Sequence, residues 1–243
     1  MTLPALLGAL FGLIVGSFAA TLVVRWPERS VLAGRSSCDN CGRQLSPFEL
    51  VPLVSYMWNR GRCARCSAAI AAWHPAIEAV AALIGGAALW VDPGWGGVAG
   101  ALFGWTLLTI AALDLRHRWL PDRLTLPLLV AGLGAGALGL MPPLGDRVIG
   151  AAAGFGSLWL LAWGFRRLRG RDGLGGGDPK LLGAIGAWLG WAALPDVVLV
   201  AALGGLAVVA VLRLLRRPVA AELPLGTMLA AVAFGMWLVQ AAG

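Results

Sequence analysis

The amino-acid sequence predicts an all-α polytopic membrane protein of about eight transmembrane helices, with a small cytoplasmic loop of zinc-ribbon type. Three observations predict it: the composition, a succession of apolar runs separated by basic clusters, and the gathering of every cysteine in one polar segment. Of 243 residues 59% are hydrophobic and only 13% charged, and mean hydropathy is +0.80, far from the balance of a water-soluble domain. The 35 glycines and 14 prolines suit close helix packing and broken helices in a bilayer. A net charge of +7 does not imply nucleic acid here, because the arginines sit in short clusters between apolar runs, where they determine topology. The lipid bilayer is the expected surrounding.

Apolar runs extend over Leu3 to Val24, Ala76 to Val91, Val98 to Leu113, Leu124 to Met141, Val148 to Phe165, Leu181 to Ala193, Val197 to Leu212 and Leu223 to Ala242. Several are shorter than the roughly 20 residues that a bilayer core requires, so flanking residues must extend them. With eight spans, all 19 basic residues except Arg147 fall on one side, and Asp92, Asp146 and Asp196 fall on the other. The positive-inside rule makes the basic side cytoplasmic and turns both termini outward. The first run lacks a basic N-region and is followed by no small-residue cleavage site, so it reads as a retained span. The expected division is a first transmembrane helix at 1–24, a cytoplasmic four-cysteine loop at 25–73 and a seven-helix membrane domain at 74–243.

The loop contains Cys38-Asp39-Asn40-Cys41 and Cys63-Ala64-Arg65-Cys66, with 21 residues between the pairs. Two Cys-x-x-Cys turns so spaced match a four-cysteine zinc ribbon, whose four thiolates suit tetrahedral zinc. Two disulfides are the alternative, which a reducing cytoplasmic setting disfavours. With no open coordination position the metal is a staple for a loop that has little core of its own.

Two acids stand where apolar runs meet basic residues. Asp178 follows Gly173-Leu174-Gly175-Gly176-Gly177 and precedes Pro179, which suits a first helical turn. Asp114 ends the run Val98 to Leu113, just before Arg116, His117 and Arg118. A carboxylate at such depth is expensive to keep charged and is a functional hypothesis by default. Two at one membrane edge suggest an aspartic pair, in which both cannot ionise together and a proton is shared. Residues without Cβ at Gly175 and Gly177 would let an unwound substrate backbone lie beside the acid. Glu78, just inside the second run, is a candidate contact for a substrate amine or a methyl donor, with pairing to an arginine as the alternative. Asp122 reads as a helix cap, Glu222 as a dipole partner for the last helix, and the tryptophans, Trp188 among them, as interfacial belts. His74 and His117 have no nucleophile beside them, so no serine or cysteine triad competes. The glycine run does not follow a strand, so it is not a dinucleotide fingerprint.

In this order the motifs resemble a known family, the prepilin peptidases or type IV leader peptidases. The resemblance runs along nearly the whole chain: Gly12-Leu13-Ile14-Val15-Gly16-Ser17-Phe18, both cysteine pairs, Pro52-Leu53-Val54-Ser55, Arg60-Gly61-Arg62-Cys63, and Trp73 to Glu78. It continues through Asp114 with Leu120 to Pro127, Gly175 to Leu182, and Leu223-Pro224-Leu225-Gly226. It implies an aspartic endopeptidase of the bacterial inner membrane that removes the leader of type IV prepilins or pseudopilins after a glycine at the cytoplasmic face. Many members also methylate the new N-terminus with S-adenosylmethionine. The family's catalytic aspartates map to Asp114 and Asp178, and its cysteine tetrad to Cys38, Cys41, Cys63 and Cys66. One departure concerns the first span, where Ala19, Ala20 and Thr21 replace the asparagine that usually follows Gly-Ser-Phe, a change bearing on substrate choice or methylation.

The residues leave other readings open: a peptidase without methyltransferase activity, a proton-coupled transporter in which the two aspartates relay protons, or a membrane anchor with a partner-binding ribbon. A transporter would hold its acids near the midplane of broken helices, whereas these lie at the basic edge.

Overall fold

The computed structural model describes residues 2–26, 36–38, 40–171, 173–218 and 223–243. Among them lie helices α1 (Leu3–Arg25), α2 (Val54–Trp58), α3 (Trp73–Val91), α4 (Trp95–His117), α5 (Asp122–Ala137), α6 (Leu144–Arg169), α7 (Asp178–Leu189), α8 (Leu194–Leu214) and α9 (Leu225–Ala242), with a 3-10 turn at Pro47–Leu50. Extended pairing among the described residues is confined to two isolated bridges, Ser37 with Gln44 and Arg62 with Ala69. Glu222 lies outside the described residues.

All eight apolar runs become helices, but six of these are long and apolar enough to cross a membrane: α1, α3, α4, α6, α8 and α9. The membrane-helix fold is as expected, and by length and composition six spans are supported where about eight were expected. Helices α5 and α7 have 16 and 12 residues, or about 24 and 18 Å at 1.5 Å per residue, against a bilayer core of about 30 Å. Backbone chemistry limits both. Helix α5 starts after Pro121 and ends just before Gly139, whose φ is +83°. Helix α7 starts after the glycine run and stops at Gly190, with φ +77°.

The chain folds as two compact units, residues 1–109 and 110–243, and α4 begins in the first and ends in the second. In the first unit α1 packs along α3. A Cβ at Gly16 would lie 2.7 Å from the Glu78 Cα, and Gly8 and Gly12 are pressed as closely against the backbones of Gly85 and Ala81. A glycine at every fourth position lets two helices approach backbone to backbone, where dispersion contacts hold them in lipid. The Trp105 indole N–H closes the packing by donating to the Ala81 carbonyl at 2.8 Å.

The second unit is built around α7. Every residue of that helix except Lys180 is buried, and it packs against α5, α6, α8 and α9. Gly150 faces Gly186, and a Cβ at Gly132 would meet Trp188 and Ala187 within 3 Å. Arg147, expected in an outer loop, is instead buried in the second turn of α6 with 2% exposure. Its guanidinium donates to the carbonyls of Pro142 (2.8 Å), Met141 (2.6 Å), Leu140 (3.4 Å), Gly132 (2.9 Å) and Ala187 (3.0 Å). Carbonyls near the ends of α5 and α7 have no water available in an apolar interior, and one arginine satisfies several. Trp188 is not an interfacial anchor either: it is 4% exposed and donates to the Leu128 carbonyl at 2.8 Å.

Candidate active site and metal centre

Both aspartates belong to the second unit. Asp114 lies near the C-terminus of α4 and is 6% exposed; Asp178 opens α7 and is 7% exposed. Leu120 lies beside both. A Cβ at Gly177 would sit 2.5 Å from the Leu120 Cβ, and one at Gly226 would sit 2.9 Å from Leu120 Cδ2 and 3.1 Å from Asp114 Oδ2. The chain reversal between α4 and α5 is thereby wedged against the glycines next to each acid.

Each carboxyl has a backbone donor. The Thr227 N–H, in the first turn of α9, donates to Asp114 Oδ2 at 2.8 Å. The Gly175 backbone bonds to the Asp178 carboxyl, and a Cβ at Gly175 would come within 2.9 Å of Asp178 Oδ2. Of the two glycines singled out in the sequence, Gly175 thus touches the acid and Gly177 touches Leu120. Gly176 between them is exposed and would meet nothing within 4 Å. Asp122 is not the N-cap of α5, which is Pro121; it instead accepts from Lys180 Nζ at 2.7 and 2.8 Å, tying the starts of α5 and α7 together.

The cysteine centre and Glu78 belong to the first unit. The Sγ atoms of Cys38, Cys41, Cys63 and Cys66 all lie within 4.8 Å of one another, and Cys38 and Cys66 are 3.8 Å apart. Zinc–thiolate bonds of about 2.3 Å in a tetrahedron require sulfur–sulfur edges of about 3.8 Å, so the four thiols fit such an ion. Two matching knuckles present them. Cys38 N–H donates to Arg43 and Gly42 N–H to Cys38; Cys63 N–H donates to Ala68 and Ser67 N–H to Cys63, all at 2.9 Å. The turns close through Gly42 at φ +66° and Ser67 at φ +56°. Backbone N–H groups of Cys66 and Arg65 pull the Cys63 thiol down to about 6, and those around Ala68 lower Cys66, which favours the thiolates a metal needs. Arg43 pairs with Glu49 beside the first knuckle and holds that carboxyl down to about 2.

Glu78 is buried at the start of α3, and its Oε2 accepts the Leu53 N–H at 2.8 Å. It lines a cavity of about 290 Å³ walled by the end of α1, the knuckles and α2, with Ser17, Thr21, Tyr56, Asn59 and His74 among its polar groups. The His74 ring lies against Trp73, with centroids 3.9 Å apart. Apart from Glu78, the lining of this cavity is not legible in the sequence, because its wall combines a helix end with a loop of irregular structure.

Two family models match the chain: the bacterial peptidase A24 N-terminal domain over residues 10–91 and the type IV leader peptidase family over residues 101–210. The chain belongs to the type IV leader peptidase family. Among curated proteins it is 42% identical to the prepilin leader peptidase/N-methyltransferase of Aeromonas salmonicida over 223 residues, which cover 81% of this chain and 77% of the relative. The protein of the same name from Dickeya chrysanthemi is 39% identical over 255 residues, covering 94% of this chain and 87% of the relative. That from Pseudomonas aeruginosa is 36% identical over 247 residues, covering 91% and 85%. No solved structure matches the chain. The relatives lend nothing to the transporter reading.

Proposed function

We propose that this leader peptidase family member is an aspartic-type endopeptidase of the bacterial inner membrane, cleaving the leader of prepilins or pseudopilins at the cytoplasmic face with Asp114 and Asp178. The observation that carries this is a pair of buried carboxyls, one from the end of α4 and one from the start of α7, on either side of Leu120. Two carboxyls so placed hold one proton between them. The ionised member takes a proton from water as the water oxygen bonds to the scissile carbonyl carbon, while the protonated member donates to the carbonyl oxygen. Return of a proton to the amide nitrogen breaks the C–N bond and frees a carboxyl on the leader and an amine on the mature chain. The strip Gly175–Gly177, exposed at Gly175 and Gly176, supplies a Cβ-free edge along which an unwound substrate backbone can lie.

The same polypeptide N-methylates the amine it has freed, with Cys38, Cys41, Cys63 and Cys66 holding a structural zinc ion and the cavity beside Glu78 receiving S-adenosylmethionine. That volume is at the lower end of small-ligand pockets, and a few convergent polar groups in it suit such a ligand. S-Adenosylmethionine supplies an electrophilic methyl group. Glu78 and its neighbours bind and orient, the carboxylate answering the positive charge of the donor or of the incoming amine.

Assaying Asp114→Asn and Asp178→Asn separately on a purified prepilin in detergent tests the peptidase. Each is expected to lose cleavage by about 10³-fold or more while retaining its metal; near-normal turnover in either removes that residue from the pair. Transfer of a labelled methyl group to cleaved pilin tests the second activity, which Glu78→Gln is expected to lose with cleavage intact.

A further inference from the structure

The two carboxyls are alike in burial but not in their donors. Asp114 Oδ2 accepts the Thr227 N–H at 2.8 Å and lies 3.0 Å from the Thr227 hydroxyl, which has the Ala111 carbonyl at 3.0 Å as its other choice. Two donors from the first turn of α9 thus converge on a single oxygen. Hydrogen bonds to a charged acceptor are about twice as strong as neutral ones, and the positive end of the α9 dipole adds to them. Asp178 also stands in the first turn of a helix, so the dipoles roughly cancel in the comparison. Its remaining donor among the described residues is the Gly175 backbone. Among the titratable groups near Asp114, Asp178 of α7 borders the same Leu120, the turn Leu225–Met228 of α9 carries none, and Arg116 and His117 share its own helix end.

We infer that Thr227 is a positioning residue that fixes the protonation of the pair: Asp114 is the ionised member that accepts the proton of water, and Asp178 holds the shared proton and donates it to the substrate carbonyl. This rests on the peptidase reading for its consequence, though not for its geometry. Thr227 contacts neither substrate nor water in this scheme; it acts through Asp114. The hydroxyl bonds to Asp114 when that residue is charged, and turns to Ala111 when it is not.

Two measurements test it. In the pH profile of kcat/KM, Thr227→Val keeps the backbone N–H and removes the hydroxyl, so the acidic limb is expected to move up by about one pH unit, and Thr227→Ser is expected to restore it. A role confined to packing would lower activity equally at all pH values, and that result overturns the inference. Infrared difference spectra of the detergent-solubilised protein report the protonated carboxyl without any substrate. Its carbonyl band is expected in the wild type and in Asp114→Asn, and is expected to be lost in Asp178→Asn. Loss in Asp114→Asn instead, or no band in the wild type, overturns the assignment. Should the wild type cleave no prepilin at all, the function fails while the infrared result still decides the proton.

Discussion

The unit of residues 1–109 and the unit of residues 110–243 hold their candidate sites by opposite means. In the first, the cavity beside Glu78 is walled largely by a loop whose segments are tied by two short bridges, a 3-10 turn and four thiols. In the second, Asp178 opens a helix locked by glycine contacts and an arginine buried among carbonyls, and Asp114 is held by the first turn of α9. A loop without a core borrows its rigidity from a metal, whereas a helix cluster makes its own. The difference predicts that the two sites fail independently.

Metal removal should show the largest effect. Structural zinc contributes about 10–16 kcal/mol to the folding of small zinc domains, so chelation or Cys38→Ser is expected to open residues 36–72 to proteolysis and abolish methyl transfer. Cleavage of prepilin should persist at a substantial fraction of its normal rate. Full loss of cleavage with the metal would break the comparison, since the second unit would then depend on the first unit's staple.

The converse perturbation is Arg147→Met, which fills the space but leaves the carbonyls of Gly132, Met141, Pro142 and Ala187 without their donor. Unsatisfied buried groups cost about 1–3 kcal/mol each, and partial relaxation should leave a net loss of about 3–5 kcal/mol. Thermal unfolding in detergent should register it, with Arg147→Lys in between, while metal content stays the same. Unchanged melting would mean that Arg147 is a passenger in the packing of α7.

Gly177→Val is a local version of the same test. The added Cβ would fall 2.5 Å from Leu120, pushing the wedge that also borders Gly226 and Asp114. A displacement of about 1 Å in a catalytic arrangement costs about 10²-fold in rate, so cleavage is expected to drop by that order with the metal and methyl transfer unaffected. Normal cleavage would show that Leu120 yields without disturbing either acid.

Much of this architecture was legible in the sequence, for reasons that also mark where legibility stops. Apolar runs reported all eight long or short membrane helices, because in lipid the side chains must be apolar almost regardless of neighbours. They could not tell α5 and α7 from full spans, since their ends are set by Pro121, Gly139 and Gly190 and not by polarity. Arg147 looks like a loop charge in the sequence because charge alone does not reveal a cage of carbonyls. The glycines at positions 8, 12 and 16 carry a legible signal, as small residues at every fourth position mark a helix interface. The spacing of Cys38, Cys41, Cys63 and Cys66 pointed to their cluster, because Cys-x-x-Cys turns are local. Nothing local pointed to Thr227, whose contact with Asp114 joins residues 113 positions apart.

The smallest effect compares the two knuckles with each other. They share the same pattern of backbone bonds, yet one closes through Gly42 at φ +66° and the other through Ser67 at φ +56°. A residue with a Cβ is strained in that left-handed region by about 1 kcal/mol relative to glycine. Ser67→Gly should therefore stabilise the metal-bound loop by somewhat less than that, since glycine also loosens the unfolded chain. At Gly42 an added Cβ meets nothing within 4 Å, so Gly42→Ser carries the backbone strain alone and should destabilise by about 1 kcal/mol. Competition with a chelator reads both as opposite shifts in metal retention, about fivefold for Gly42→Ser and less than that for Ser67→Gly. A Gly42→Ser variant that loses its metal outright would show that the first knuckle is crowded in the metal-bound protein, and that the two turns are equivalent in pattern but not in load.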